Sequence, residues 1–168
     1  MKKLIVIMIA FISSMSAFGQ VKDVVDVASG SADHTTLVAA IKAADLVATL
    51  KGHGPFTVFA PTNAAFNKLP AGTVENLLKP KNKAALANIL TYHVISGNLD
   101  AASLMAAIKK GKGKAVLTAV NGKKLIAKIK MGKVELISES GKTAYVTATD
   151  LKASNGIIHV IDAVALPK

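Results

Sequence analysis

The chain has no cysteine, no arginine and no tryptophan, and aromatic residues make up only 4% of it. The lack of cysteine excludes disulfide bonds, thiol catalysis and a lipid carried on an N-terminal cysteine. Proteins that read nucleic acid rely on the arginine fork and on aromatic stacking. We therefore predict no nucleic-acid binding, although the formal net charge is +11. The lysine excess is interpreted as a solvated surface that attracts polyanions weakly.

The N-terminal residues have the pattern of a cleaved export signal. Two lysines precede an unbroken apolar run over residues 4–12, and Ala17-Phe18-Gly19 fits the small-x-small rule for cleavage. We predict a signal peptide over residues 1–19, a mature N-terminus at Gln20, and a periplasmic, cell-surface or extracellular protein. The alternative is a membrane anchor, which needs roughly 20 apolar residues. This run is far shorter, so no transmembrane anchor is expected.

Residues 20–168 are predicted to form a single domain whose first half is helical. Apolar residues at helical spacing predict a short helix over residues 21–28. A second helix is expected to begin at a cap on Asp33 and to continue through Leu50, with Leu37, Ile41, Ala44 and Ala48 along one side. Asn82 and Asp100 are predicted to cap two later helices, the last of which has Leu104, Met105 and Ile108 inward.

The second half of the chain has the period of β-strands. Asn121-Gly122, Gly132 and residues 138–141 mark turns between short alternating strands. Residues 157–166 are apolar on both faces, which predicts a buried central strand. Helices followed by a meander are typical of the α+β class.

Residues 54–66 predict a buried strand, a sharp turn and a short helix. Apolar side chains and period-2 alternation fill the first half of this stretch. Pro61 is expected to end the strand because it has no amide donor. Thr62 is a candidate N-cap, and Phe66 is expected to point from the helix into the core.

Three separated segments resemble the hallmark segments of the fasciclin domain. They are TVFAPTNAAF (57–66), LTYHVISG (90–97) and SNGIIHVIDAVALP (154–167), in the order and spacing of that family. The resemblance covers essentially the whole mature chain. It implies a wedge-shaped β-sandwich with helices packed on it, and a non-enzymatic role in adhesion to proteins or glycans at the cell surface or in the matrix. The residues identified as its structural motif are Thr57, Phe59, Pro61, Thr62, Phe66, Asn155, Gly156 and His159.

The resemblance also implies two places for partner-binding residues. Tyr92-His93 matches the adhesion-linked pair of the family, and Asp150-Leu151 stands where animal members often have an integrin-linked Asp-Ile pair. The bacterial type of signal peptide argues against an integrin as the partner here. On physical grounds His93 borders an apolar helix face, which favours a buried, hydrogen-bonded imidazole over a contact residue. His159, within the last apolar strand, is interpreted in the same way.

Two segments of the sequence are rich in lysine. Residues 109–114 form a Lys-Gly tail after the helix that begins at Asp100, and this segment is longer than the family pattern. We expect any feature that is particular to this protein to lie in this segment. Lys124, Lys128 and Lys130 share one face of a strand. We interpret them as a solvated face, and attraction to acidic polysaccharide is the sharper alternative.

Enzyme motifs are absent from the sequence. It contains no Gly-x-Ser-x-Gly elbow, no phosphate-cradling glycine loop and no zinc motif. A triad of Ser96, His93 and Asp100 is conceivable, but residues so close in sequence rarely converge at catalytic geometry. His34 and His53 are expected to be exposed. We therefore predict no catalytic residue, no metal site and no cofactor.

A second function from another class stays open at this point. The apolar wedge between helices and sheet could hold a small ligand or lipid, as in a carrier or sensor module. Such a pocket would be concave and apolar with few polar anchors. An adhesion surface would be flat or convex, with exposed aliphatic residues rimmed by charge.

Overall fold

A computed structural model describes residues 21–168, so the predicted signal peptide and Gln20 lie outside the described residues. Within that range seven α-helices and seven strands follow one another as α1 (Val24–Ser29), α2 (Thr35–Ala43), α3 (Val47–Lys51), β1 (Phe56–Pro61), α4 (Asn63–Asn67), α5 (Thr73–Leu77), α6 (Lys83–Tyr92), β2 (Val94–Ser96), α7 (Ala101–Lys110), β3 (Lys114–Thr118), β4 (Lys124–Lys130), β5 (Lys133–Ile137), β6 (Thr143–Ala153) and β7 (Gly156–Ile161). Among these described helices, none has the length and apolar character needed to cross a bilayer.

The strands form one sheet in the order β2-β1-β7-β6-β5-β4-β3. β1 and β7 are parallel, and the other neighbours are antiparallel. β6 is shared between the two halves of the sheet: residues 143–145 pair with β5, and from Val146 onward the strand pairs with β7. An isolated bridge between Ile95 and Ala119 joins the two ends. The sheet is therefore rolled into a near-barrel, and the predicted α+β class is confirmed.

The core consists of two apolar clusters on opposite sides of β1. One, which we call the helical core cluster, lies between the sheet and the first six helices, and includes Val58, Ala60 and Ile158. The other fills the inside of the rolled sheet, where Phe59 and Ile161 meet side chains from α7 and from β3 to β6. Successive side chains of a strand point to opposite faces, so β1 contributes to both clusters. This is why its residues after Phe56 are all buried.

Side-chain caps begin several helices, as the sequence predicts in two cases. The Thr62 hydroxyl accepts a hydrogen bond from the Ala65 amide, and the Asp100 carboxylate accepts one from the Ser103 amide. The cap predicted at Asp33 is wrong. Ser31 instead caps a short 3-10 turn over residues 32–34. Asn82 stands at the start of α6, but its side chain donates to the Asn76 carbonyl instead of capping the helix.

The single helix predicted beyond Asp33 is also wrong, because the chain breaks between α2 and α3. Asp45 has a φ of 59°, and the Leu46 amide reaches back to the Ile41 carbonyl at 3.1 Å. This pattern ends a helix with a left-handed residue, a conformation that aspartate tolerates better than most. Apolar spacing continues across the break, and for that reason the sequence pattern did not reveal it.

Two smaller expectations differ from the structure. The last strand ends at Ile161 instead of continuing to residue 166. Beyond it, the amide of Ala165 donates to the His93 ring instead of to a neighbouring strand. Met105, predicted to face inward, is exposed on α7, while Leu104 and Ile108 are buried. The inward face of α7 is therefore narrower than its apolar composition suggests.

Candidate functional site

Tyr92 is a fully buried residue at the end of α6. Its hydroxyl donates to the Lys124 carbonyl at 2.6 Å and accepts a hydrogen bond from the Glu139 amide at 3.0 Å. Burial raises the pKa of the Tyr92 phenol. The side chain ties α6 to β4 and to the turn after β5. It has no surface to offer a partner, so a contact role would need it to leave the core.

His93 is buried next to Tyr92, in agreement with the helix-face interpretation. Its Nδ1 lies 2.8 Å from the Ile89 carbonyl, and its Nε2 accepts a hydrogen bond from the Ala165 amide at 3.0 Å. The carbonyl partner requires the proton on Nδ1, which fixes the tautomer. Burial lowers the pKa of His93 to about 4, so the ring is neutral near pH 7. It joins α6 to the C-terminal segment.

Asp150 is held in place by a second buried histidine and by α7. The Asp150 carboxylate accepts a hydrogen bond from the Ala101 amide at 2.8 Å. The Asp150 amide lies 3.4 Å from Nδ1 of His159, whose Nε2 is 2.7 Å from the Leu99 carbonyl. His159 is stacked on Phe59 with 5.6 Å between the ring centroids. Asp150 has a φ of 60°, and the next side chain, Leu151, is 39% exposed.

Asp150 lines an open cleft with a volume of about 900 Å³. Three segments meet there: residues 51–55 before β1, the loop with Asn98 and Asp100 before α7, and residues 152–157, which comprise the end of β6, the turn and the start of β7. Thr57 fixes the second loop, because its hydroxyl donates to the Gly97 carbonyl at 2.7 Å and accepts from the Leu99 amide at 2.9 Å. The cleft is therefore bounded by backbone that side chains hold in place.

The floor of the cleft depends on Asn155 and Gly156. The side-chain NH₂ of Asn155 donates to the carbonyls of Leu50 and Gly52, and its side-chain oxygen accepts a hydrogen bond from the backbone amide of Val24. A Cβ on Gly156 would lie 2.1 Å from the Phe56 carbonyl oxygen, so only glycine fits. The residue pattern alone does not reveal these long-range bonds. Their only signal in the sequence was the place of Asn-Gly within a hallmark segment.

Both signs of charge surround the cleft. Hydrogen bonds from the Ser103 side chain and amide lower the pKa of Asp100. Lys51 contacts Asp26 at 2.6 Å and Asp23 at 2.9 Å, and the hydrogen bond to Asp26 is the main reason that its pKa is raised. Lys152 also lines the cleft. Such a lining suits a polar partner better than an apolar ligand.

The remaining motif residues have structural positions around this site. Pro61 is the last residue of β1, Thr62 caps α4, and Phe66 packs from α4 into the helical core cluster. These positions connect the buried strand pair to the helices. They leave Asp150 and Leu151 as the accessible members of the predicted partner-binding set.

The fasciclin-domain family model matches residues 32–167. The chain belongs to the fasciclin domain family. It is 49% identical to the protein sll1483 of Synechocystis sp. over 92% of this chain and 78% of that protein. It is 35% identical to the immunogenic protein MPB70 of Mycobacterium bovis, over 90% and 73% of the two chains.

Animal proteins share the domain as well. The chain is 38% identical to the transforming growth factor-beta-induced protein ig-h3 of Sus scrofa, over 86% of this chain but only 19% of that protein. Its fold matches a FAS1 domain pair from the insect cell adhesion molecule fasciclin I with a TM-score of 0.73, at 19% identity, over 85% of this chain and 50% of the other. This structural likeness shows the shared fold.

The residues of the conceivable triad are not assembled in this fasciclin domain. Ser96 is exposed at the end of β2, His93 is bonded within the core, and Asp100 caps α7. Within residues 21–168, no group of three or more histidine, aspartate or glutamate side chains could hold a metal ion.

His34 is buried, which corrects the expectation that it is exposed. The 3-10 turn carries its ring against the sheet, where Nδ1 lies 2.9 Å from the Ser31 hydroxyl. Burial lowers the pKa of His34, against a smaller opposing effect of Asp33. His53 is exposed beside the cleft, as expected.

The alternation predicted for β4 is confirmed. Leu125 and Ala127 are fully buried, whereas the lysines lie on the outer face. Lys124 donates to the Thr118 hydroxyl at 2.7 Å, and Lys130 lies 3.2 Å from the Glu135 carboxylate. These short polar contacts keep the outer face of the sheet hydrated and charged.

Proposed function

We propose that this fasciclin domain is an exported, non-enzymatic adhesion module that binds a protein or glycan at the cell surface or in the matrix. Support comes from the family and from the name of the structural relative, a cell adhesion molecule. The proposal includes one domain over residues 20–168, released by cleavage after Gly19. Intact mass of the protein recovered from its host is expected to correspond to a chain that begins at Gln20, and full-length protein in the membrane fraction would contradict the cleavage.

One observation carries the choice of binding surface. Asp150 is held at the rim of the open polar cleft by bonds to α7 and to a buried histidine, and the next side chain, Leu151, is exposed. An exposed aliphatic side chain beside charged groups has the character of a contact surface. Tyr92 and His93 support this surface only indirectly, through the core. We assign the binding role to Asp150, Leu151 and the cleft next to them.

The proposal predicts that two conservative changes weaken adhesion without unfolding the protein. Asp150→Asn keeps an oxygen for the Ala101 amide and tolerates the positive φ, but it removes the charge. Leu151→Ala removes the exposed aliphatic group. With each protein immobilised, we expect both variants to retain fewer host cells and less matrix extract, by several-fold, at low and at high salt.

Matched controls separate this effect from a general change of surface. Glu75→Gln removes one exposed carboxylate on α5, and Val21→Ala removes an exposed aliphatic group near the N-terminus. Both are expected to retain cells as the parent does. Retention that disappears at high salt in every protein would indicate screened lysine attraction alone and would contradict the assignment of this surface.

The carrier alternative receives no support from the space between helices and sheet. A cavity there, lined by Val27, His34, Ala60, Leu151 and Ile158 among others, measures about 20 Å³. Sites for small ligands are typically a few hundred Å³ or larger. The apolar wedge is filled by the side chains of the helical core cluster.

A further inference from the structure

The lysines of this fasciclin domain are distributed unevenly along the chain. Residues 101–134 contain no aspartate or glutamate but nine lysines, at positions 109, 110, 112, 114, 123, 124, 128, 130 and 133. Exposed apolar side chains are concentrated in the same stretch. Of the seven large ones in the described residues, five lie there: Met105, Val116, Val120, Ile129 and Met131. Positive charge and exposed apolar surface therefore coincide.

The fold gathers two parts of this stretch at one end of the sheet. Lys114 pairs with Lys128 across β3 and β4, and Lys130 pairs with Lys133 across β4 and β5. The α7–β3 loop and the β4–β5 turn consequently leave the sheet at the same end. We call this surface, formed by residues 109–114 and 128–133, the basic end.

The charge of the basic end is largely uncompensated. It carries seven lysines, and among the ion pairs of the described residues one involves them, between Lys130 and Glu135. Glu135 is itself buried and also accepts a hydrogen bond from the Tyr145 hydroxyl at 3.0 Å. Seven lysines less one glutamate leave six positive charges. A surface of this kind attracts anions over about one Debye length, roughly 8 Å at physiological salt.

An apolar side chain projects from the middle of these charges. Met131 is 94% exposed at the tip of the β4–β5 turn, where its φ is 51° and that of Gly132 is 76°. Such turns favour asparagine or aspartate before glycine, so methionine is an unfavourable choice for the turn itself. Ile129, two residues earlier, is also exposed. The turn holds an apolar tip in water with lysines on both sides.

We propose that the basic end docks on the surface of an anionic phospholipid bilayer. The lysines contact the headgroups, and Met131 and Ile129 enter the interface between headgroups and acyl chains. The apolar tip decides between lipid and acidic polysaccharide, because a polysaccharide offers negative charge but no apolar interior. Lysine suits this role, since its long stem lies along apolar surface while its ammonium stays hydrated. The site is separate from Asp150 and Leu151, so either proposal can fail without the other.

Insertion can be measured directly because the chain has no tryptophan. Met131→Trp and, as a matched control, Val21→Trp each introduce a single fluorophore at a highly exposed position. With vesicles of phosphatidylcholine and phosphatidylglycerol, we expect the emission of Met131→Trp to shift to the blue and that of Val21→Trp to stay unchanged. Neither should shift with phosphatidylcholine alone. Bound vesicles with no blue shift in Met131→Trp would overturn the proposal.

The role of charge is tested with two triple variants that have equal net charge. Each variant is produced in and purified from the protein's own host. Changing Lys109, Lys112 and Lys128 to glutamine is expected to weaken sedimentation with the anionic vesicles about a hundredfold, roughly fivefold for each lysine. The same change at Lys42, Lys79 and Lys81, which are exposed elsewhere, should have a small effect. Any contribution of the N-terminal residues is common to both variants. Equal loss in both would mean that the basic end has no special role and would overturn the proposal.

Met131→Asn distinguishes lipid from other polyanions and from a second copy of the chain. Asparagine suits the turn, so the variant should fold normally while losing the apolar tip. We expect weaker binding to anionic vesicles and unchanged binding to dextran sulfate. Equal binding of both proteins to vesicles would show charge attraction alone. A dimer in sedimentation velocity that the Met131→Asn change dissociates would assign the tip to self-association. Either result would overturn lipid docking.

Discussion

The strand pairs β1–β7 and β3–β4 belong to the same sheet but have different environments. β1 and β7 are buried on both faces, between the helical core cluster and the inside of the rolled sheet. In β3 and β4, buried side chains such as Leu117 and Leu125 alternate with exposed or half-exposed ones such as Val116 and Ile126. The first pair can tolerate little change, whereas the outer face of the second can change its chemistry without loss of the core.

This contrast explains where the hallmark residues of the family lie and where the residues particular to this chain lie. The hallmark residues Phe59 and His159 belong to the first pair, and Asn155 lies in the turn just before β7. They bond or pack against several elements at once. Most lysines of the basic end, together with Met131, belong to the second pair and the turns that flank it. The residues that identify the family therefore lie in or next to the buried strands, and the residues that give this chain its surface chemistry lie in the antiparallel strands and their turns.

The largest difference between the two regions is expected in packing. Phe59→Ala removes a fully buried ring that stacks on His159, and should lower the free energy of unfolding by about 3–5 kcal/mol. Val116→Ala, on the exposed face of β3, should change it by about 0.5 kcal/mol or less. Denaturant titration of both variants measures the difference. Similar values for the two would mean that the contrast between the strand pairs is wrong.

A dependence on pH is expected from the buried region. The pKa of His93 falls from 6.5 in the unfolded chain to about 4 in the folded one. Between these values the unfolded state binds more protons, so the free energy of unfolding decreases as the pH falls. The loss is about 1.4 kcal/mol per pH unit, or roughly 3 kcal/mol over the window.

Denaturant titration between these two pH values checks the slope. His93→Gln should flatten it, and the exposed control His53→Gln should not. The lowered pKa of His34 adds a slope of the same sign in all three proteins. An unchanged slope in His93→Gln would assign the pH dependence to other groups.

The smallest expected effect compares the two Asn-Gly turns. Asn155 makes three hydrogen bonds to Val24, Leu50 and Gly52, so Asn155→Ala should cost about 2 kcal/mol. Asn121 also makes three hydrogen bonds, one to Lys123 and two to Asn88, but the two to Asn88 are exposed to solvent. Water can replace them, so Asn121→Ala should cost about 0.5–1 kcal/mol. Thermal unfolding of both variants checks the order, and a reversed order would contradict the role given to Asn155.

Sequence reasoning was most successful where one local signal determines the structure. Neighbouring residues alone determine three features that were predicted: the strand that ends at Pro61, the caps at Thr62 and Asp100, and the alternation in β4. It failed where a distant contact decides, and where a local break leaves the apolar pattern unchanged. The helix break at Asp45 interrupts a continuous apolar pattern, and the burial of His34 depends on the packing of a short turn against the sheet.

The candidate site was only partly predictable for the same reason. Asp150 and Leu151 lie at an accessible rim, but the loops that form the cleft come from three distant parts of the chain. Tyr92 belongs to a hallmark segment, yet its bonds to Lys124 and Glu139 arise from the meander. A pattern within one segment cannot reveal partners 32 or 47 residues away. The basic end is different, because its lysines were visible in the sequence and only the strand register brought them together.

The parallel pairing of β1 and β7 has a consequence for the order of events during synthesis. Phe56 pairs with Gly156 and Pro61 with Ile161, so each residue of this pair is 100 positions from its partner. Contacts between such distant residues close slowly, because the intervening chain must first be ordered. The centre of the sheet therefore cannot form until residues 156–161 have been made. A chain exported while it is still being made would cross the membrane before its core exists, and would complete its folding on the far side.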